Sequence, residues 1–325
     1  MAAEDGNIIR RYVYWGEDGE IIPNGATHIT VAEGVTFVRA NAFDQHPNII
    51  ELICHDKVGK IEIRAFRGCP RLRMVIMPNV KVIEEGAFCG CRALSHVECG
   101  MLEMIGQQAF CDCQSLESIN LPSARIVECW AFCQCFALTN VKFGNKLESL
   151  GECTFGHCYS LRRITIPLKN GLFAQDDIFM ACRNLYHVDL VEEELLRGTA
   201  TALQMVEWKN DMNDKIDSIS RILCGWEGQF GDDGMERFMH DGKEETQTIR
   251  RWIWSILQKI VHYKAEHHRV LSEAATAIQH QFALPHDILG NNVLPFLALP
   301  AHTFEGENHN EEEEAVNSFN GEGAS

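Results

Sequence analysis

The sequence has no apolar run long enough to cross a membrane, no excess of basic residues and no Asn-x-Ser/Thr glycosylation acceptor. A membrane-spanning helix takes about 20 consecutive apolar residues, so none is expected. Nucleic acid and anionic membrane surfaces are usually held by a clustered basic face. Here 46 Asp and Glu stand against 29 Lys and Arg, a net charge of −17. Residues 1–190 carry 18 basic and 22 acidic side chains, and residues 191–325 carry 11 and 24. The acidity therefore sits in the second part, and neither nucleic acid nor membrane is expected as a partner. The polar residues Met1 to Gly6 run into Arg10 and Arg11 with no apolar stretch behind them, so a secretory signal is not expected. These features favour a cytoplasmic location, where the 14 cysteines would be mostly reduced.

Catalytic motifs are missing too. There is no Gly-x-Gly-x-x-Gly, no phosphate loop and no serine in a nucleophile-elbow pattern. His262, Glu266, His267 and His268 invite a metallohydrolase reading, but His262 and His267 are five apart and leave the shared helix face that a zinc pair needs. A surface contact between His262 and Glu266 is the simpler reading. Asp211-Met212-Asn213-Asp214 begins like a calcium loop, yet Ile216 stands where glycine is required. The expectation is a protein that is not an enzyme and carries no cofactor and no catalytic or metal-binding residue.

What the sequence has is a repeat. Aligned on Phe43, Phe66, Phe88, Phe110, Phe132, Phe155 and Phe179, it recurs at intervals of 22 to 24 residues. Three residues after Phe stand Cys69, Cys91, Cys113, Cys135, Cys158 and Cys182, with His46 the one departure in the first copy. Six after come Ile49, Leu72, Leu94, Leu116, Leu138, Leu161 and Leu185, and the ninth and eleventh positions are apolar throughout. Five before Phe the first six copies read Val38, Ile61, Ile83, Ile105, Val127 and Leu150, while the last has Ala174. Positions nine and eleven alternate with more polar ones, the period-two signature of a strand with one buried face. A unit of about 22 residues with one such strand cannot bury its apolar side alone, whereas stacked copies cover one another.

The run Ile105 to Pro122, Ile-Gly-x-x-Ala-Phe-x-x-Cys-x-x-Leu-x-x-Ile-x-Leu-Pro, resembles the BspA-like class of leucine-rich repeats, over about residues 30–190. The resemblance implies a right-handed solenoid with a parallel strand ladder, used for recognition and not for catalysis.

The expected architecture is an α+β repeat protein: a leucine-rich-repeat solenoid with a short parallel ladder, followed by a long α-helical hairpin. Residues 1–30 read as an N-terminal cap with a strand-like hairpin, Tyr12-Val13-Tyr14 and Ile21-Ile22 flanking the turn-like Glu17-Asp18-Gly19. Residues 31–191 form the solenoid. In residues 192–285 the apolar period becomes helical, predicting helices over about 193–223 and 245–283 separated by Gly225, Gly228, Gly231 and Gly234. With Trp-Ile-Trp, then His-Tyr-Lys-Ala-Glu-His and later Asn-Val-Leu-Pro-Phe-Leu, the C-terminal third is similar to the tails of certain algal-type members of the repeat family. Residues 286–325 read as irregular, and from Glu305 onward as a disordered acidic tail.

Two features have a plain and a chemical reading. The pairs Cys89/Cys91, Cys111/Cys113 and Cys133/Cys135 recur at the repeat period and would stack as two ladders, offering thiolates to a soft metal. Packing is the favoured reading, because the second cysteine of each pair belongs to the buried column. Trp252 and Trp254 flank Ile253 on a helix and cannot both face the core, so one is a candidate anchor for a partner.

Binding is expected on the strand face. Eight residues after Phe the outward side chains are Glu51, Met74, His96, Ser118, Asn140, Arg163 and His187; ten after, they are Ile53, Ile76, Glu98, Asn120, Lys142, Thr165 and Asp189. The core columns are monotonous while these two stripes vary in charge and size, as a surface specified by a partner would. The expected function is a protein-protein interaction scaffold or adaptor; the alternative is a structural protein that self-associates through helices 193–223 and 245–283.

Overall fold

The computed structural model describes residues 10–169, 171–175, 177–191, 214–215, 217–219, 246–256, 258, 269 and 273. From residue 37 on, each turn of chain, numbered 1 to 7 by its phenylalanine, carries a strand of three or four residues that begins eight positions after Phe. Turns 1 to 6 add a two-residue strand that ends five positions before Phe.

All pairings are parallel and in register. The longer strands form a sheet of five, from Arg11–Tyr14 to His96–Glu98, and a sheet of four, from Ser118–Leu121 to His187–Leu190. The two-residue strands form one unbroken ladder of six, from Phe37–Val38 to Ser149–Leu150.

A third set of bonds crosses each turn through residues in left-handed backbone. Positive φ recurs two before Phe, at Asn41, Arg64, Gly86, Gln108, Trp130 and Cys153, and two after, at Gln45, Gly68, Gly90, Asp112, Gln134, His157 and Ala181. Left-handed backbone costs a side-chain-bearing residue about 1–2 kcal/mol. What it secures is direction: in turn 4 the amides of Gln108, Phe110 and Asp112 all point into turn 5, donating to the carbonyls of Cys129, Ala131 and Cys133 at 2.8–3.0 Å. Two reversals of φ per turn keep these amides aimed along the stack.

Inside, the phenylalanines form one column. Neighbouring rings from Phe43 to Phe179 lie 4.6–5.7 Å apart and within 8° of parallel, the offset arrangement that aromatic quadrupoles favour. Tyr14 closes the column at one end, tilted 58° against Phe43, and Phe173 at the other, tilted 48° against Phe179. The last turn has an exposed Ala174 where earlier turns have an aliphatic, and buried Leu172 and Phe173 fill that space.

The inner cysteine column does more than fill volume. Each thiol donates to the carbonyl of the preceding turn's phenylalanine: Cys69 to Phe43, Cys91 to Phe66, Cys113 to Phe88, Cys135 to Phe110, Cys158 to Phe132 and Cys182 to Phe155, at 2.9–3.3 Å. Turn 1 has no phenylalanine before it, which explains its exception. His46 there reaches farther, Nε2 lying 3.1 Å from Pro23 O while Nδ1 accepts from the amide of Asn48.

The N-terminal cap differs from expectation. Arg11–Tyr14 runs parallel to His28–Val31, which pairs with Glu51–Ile53, so both are further rungs of the ladder. Ile21 and Ile22 form no strand, and Ile21 is exposed. The carboxylate of Glu20 decides this by accepting from the Tyr12 hydroxyl and the Trp15 and Glu17 amides, which ties residues 15–20 into a closed loop. That loop leaves the strand edge to the parallel partner.

Helix is described at 214–215 and 217–219 and over 246–256, so the long helical hairpin is not supported at its expected length. Ile219, Ile249, Trp252, Ile253 and Ile256 are buried, and Trp252 Nε1 donates to Lys215 O at 2.7 Å, joining the two helical pieces. Arg250 donates to Gln175 O at 3.1 Å, setting the second piece against turn 7. The rest of both helices, His262, Glu266, His267, His268, Asp211, Asn213 and the acidic tail lie outside the described residues. Residues 1–261 form one compact unit and 262–325 another, in which Arg269 and Glu273 make an i,i+4 ion pair at 2.6 Å.

Truncating the central ring, Phe110→Ala, is expected to cost about 3–5 kcal/mol, read as a fall in the urea midpoint, with Phe110→Leu losing less. Desolvation lowers the His46 pKa from its usual 6.5. The unfolded chain therefore takes up a proton first as pH falls below about 6.5, and stability drops until the folded-state pKa is passed. Wild type should lose more of its urea midpoint between pH 7.5 and 5.5 than His46→Gln, and equal losses would contradict the assignment.

Candidate protein-binding face

Because residues nine and eleven after Phe turn inward, those at eight and ten must turn outward. The structure places all fourteen sequence candidates on that face, in two columns. In the first sheet Glu51 stands beside Met74 and then His96, and Ile53 beside Ile76 and then Glu98. In the second, Ser118, Asn140, Arg163 and His187 form one column, and Asn120, Lys142, Thr165 and Asp189 the other. Eight are exposed; Glu51, Ile76, Asn140, Thr165, His187 and Asp189 are half-buried.

Sequence reasoning anchored on phenylalanine missed two further rungs. Arg11 and His28 extend the first column, and Val13 and Thr30 the second. Neither rung has a phenylalanine. The available signal was the 23-residue step from Ile29 to Leu52 at the inward position.

The face is divided. Strands His96–Glu98 and Ser118–Leu121 are neighbours but belong to different sheets, although the two-residue ladder continues unbroken past the same turns. At this seam Val97 is half-buried where the other inward residues at its position are buried. Before the seam the exposed residues include Val13, Ile53 and Met74, each 37–42% exposed, and Glu98, with half-buried Glu51 beside them. After it come Asn120, Lys142 and Arg163, the last 3.5 Å from Asp189. Asn140 Oδ1 is buried with no hydrogen-bond partner among the described residues.

The other candidate chemistry resolves as follows. Cys54 and Cys99, at the eleventh position, are pushed up to about 12 by burial, and desolvation raises the fully buried Cys91, Cys113, Cys135 and Cys158 well above the usual thiol value. None of these thiols is a nucleophile at neutral pH. Glu152, Cys153 and Asp177 bring donor atoms within 4.8 Å of one another, where the Cys153 thiol donates to Asp177 at 3.4 Å and burial raises its pKa to about 11. Of the two tryptophans, Trp252 is buried and Trp254 is 50% exposed, as their spacing requires.

The family model for the BspA type leucine rich repeat region matches six copies over residues 24–115 and 103–197, more than half of the chain. The chain belongs to the BspA-type leucine-rich-repeat family. Among solved structures it is similar to the leucine-rich repeat protein of T. pallidum, at 24% identity over 50% of this chain and 68% of that one, with a TM-score of 0.36. A leucine-rich repeat protein from Bacteroides ovatus gives 19% identity, 52% and 62% coverage and a TM-score of 0.35. The pneumococcal vaccine antigen PcpA gives 18%, 49% and 56%, and 0.31. No curated protein matches the chain. BspA-type repeat proteins are scaffolds and generally not enzymes. Among the described residues no helix is long and apolar enough to cross a membrane.

Proposed function

We propose that this protein is a non-enzymatic cytoplasmic adaptor that recognises another protein on its strand face. One observation carries the reading: within the same strands, the inward positions repeat almost unchanged from turn to turn while the outward ones vary in charge and size along the stack. Fold requirements account for the first and say nothing about the second. The apolar panel around Ile53, Met74 and Ile76 supports a desolvated contact, since exposed apolar patches mark interaction surfaces. The polar panel around Lys142 and Arg163 supports acidic groups opposite it.

The closing helices favour a second reading, self-association, because Trp254 presents an exposed aromatic surface beside buried Trp252. In that reading two copies pair through the C-terminal helices.

Affinity purification on the full chain, compared with Lys142→Glu/Arg163→Glu, tests the first reading. Recovery of the specific partner should fall about tenfold or more, a loss of about 1.4 kcal/mol, and unchanged recovery would remove the strand face from consideration. Light scattering tests the second. Only if the protein self-associates should Trp254→Glu convert an oligomer to a monomer.

A further inference from the structure

The outer cysteine column, Cys89, Cys111 and Cys133, differs from the inner one in what holds it. Each follows the phenylalanine of turns 3, 4 and 5 and is half-buried. The inner thiols are spoken for by phenylalanine carbonyls. The outer ones stand one beside the next on successive turns, Cys89 beside Cys111 and Cys111 beside Cys133. Nor does packing call for cysteine there, since the other turns place Asp44, Arg67, Gly156 and Met180 at the same position. Three successive thiols therefore occupy a site where the fold accepts a carboxylate, a guanidinium, no side chain or a thioether.

The spacing is rigid. Gly90 N donates to Cys111 O and Asp112 N to Cys133 O, both at 2.8 Å, and the phenylalanine rings beside the column stand 5.3 and 5.4 Å apart. Hydrogen-bonded backbones sit about 4.8 Å apart. A disulfide needs Cβ atoms about 3.5–4.5 Å apart, so oxidation would have to draw the turns together against those bonds. An ion between two sulfurs, at about 2.3 Å to each, spans about 4.6 Å, and the turns need not move. Zinc asks for four ligands in a tetrahedron, which three sulfurs in a row do not supply. Monovalent copper is soft, is selected by thiolates and accepts two ligands in line.

We propose that Cys89, Cys111 and Cys133 bind monovalent copper, each ion bridging thiolates of successive turns and Cys111 shared between two ions. On binding two ions the three thiols release three protons to solvent, and copper keeps its oxidation state. The site then carries one net negative charge. The neighbouring Cys111 thiol and burial push the Cys89 thiol up, which the Arg67 guanidinium, held by Asp44 through two 2.9 Å bonds toward the Cys89 end, offsets only in part. At the other end Gly156 leaves the side of Cys133 open, where a Cβ would come 3.4 Å from its sulfur. Asp112 is tied to Arg92 and Gln114. Protons compete with the metal, because hydrogen bonding to Cys133 pushes Cys111 up to about 12.

The test uses the reduced full-length protein under anaerobic conditions, titrated with copper(I) from its chromophoric bicinchoninate complex. Thiolate-to-copper absorption in the ultraviolet should saturate at two ions per chain. Cys111→Ser should abolish this uptake, Cys89→Ser should leave one ion, and Cys129→Ser, outside the column, should leave both. Thermal melting checks that Cys111→Ser is folded, with Cys111→Ala as a second variant. No uptake by the wild type, uptake that survives loss of Cys111, or displacement of the copper by equimolar zinc(II) each overturns the proposal.

Discussion

Each turn of this molecule is held by the next through amides aimed along the stack, and the rest of the structure depends on that alignment. A turn of 22 to 24 residues has no core of its own. Its apolar side becomes an interior only when another turn lies on it at a fixed height and in fixed register. The paired left-handed residues around the phenylalanines of turns 1 to 6 fix that height. Their local cost is recovered as three hydrogen bonds into the neighbouring turn, and rings, leucines and thiols then meet their counterparts directly.

This constraint sorts the positions of the repeat by how much freedom they have. The phenylalanine ring stacks on the rings of the turns before and after it, so a change in volume there is felt by both neighbours. The inner thiol must be small, apolar and able to donate to one carbonyl, a set of demands cysteine meets and alanine does not. Where the carbonyl lies in the cap and not in a preceding repeat, histidine supplies the longer reach. Outward positions carry none of these obligations, and in a solenoid their side chains stand in rows, so a functional surface can vary while the scaffold stays constant.

Most of the repeat was legible because the physics that builds it is periodic. The seven phenylalanines, the inner cysteines and the alternation at positions eight to eleven mark the buried column and the exposed face, and all fourteen face residues lie where the alternation places them. The cap was not legible, because its rungs lack the phenylalanine on which the repeat was aligned. Glu20 gathers its three donors from residues spaced along the loop, a pattern with no period. The seam in the strand face was equally hidden. The residues on either side follow the repeat, and only the coordinates show that the long-strand ladder breaks while the short-strand ladder does not.

The two ladders therefore answer differently to the same stacking. A two-residue strand, pinned by the left-handed residues that follow it, tolerates little change in turn-to-turn geometry. The longer strand lies farther along the chain from those pins and can open by one step without disturbing the phenylalanine column, whose spacing across the seam stays at 5.3 Å. A break confined to the outward face lets that face change direction while the core beneath it stays continuous. Apolar Ile53, Met74 and Ile76 lie before the break and basic Lys142 and Arg163 after it, with the polar rungs His96/Glu98 and Ser118/Asn120 flanking the break itself.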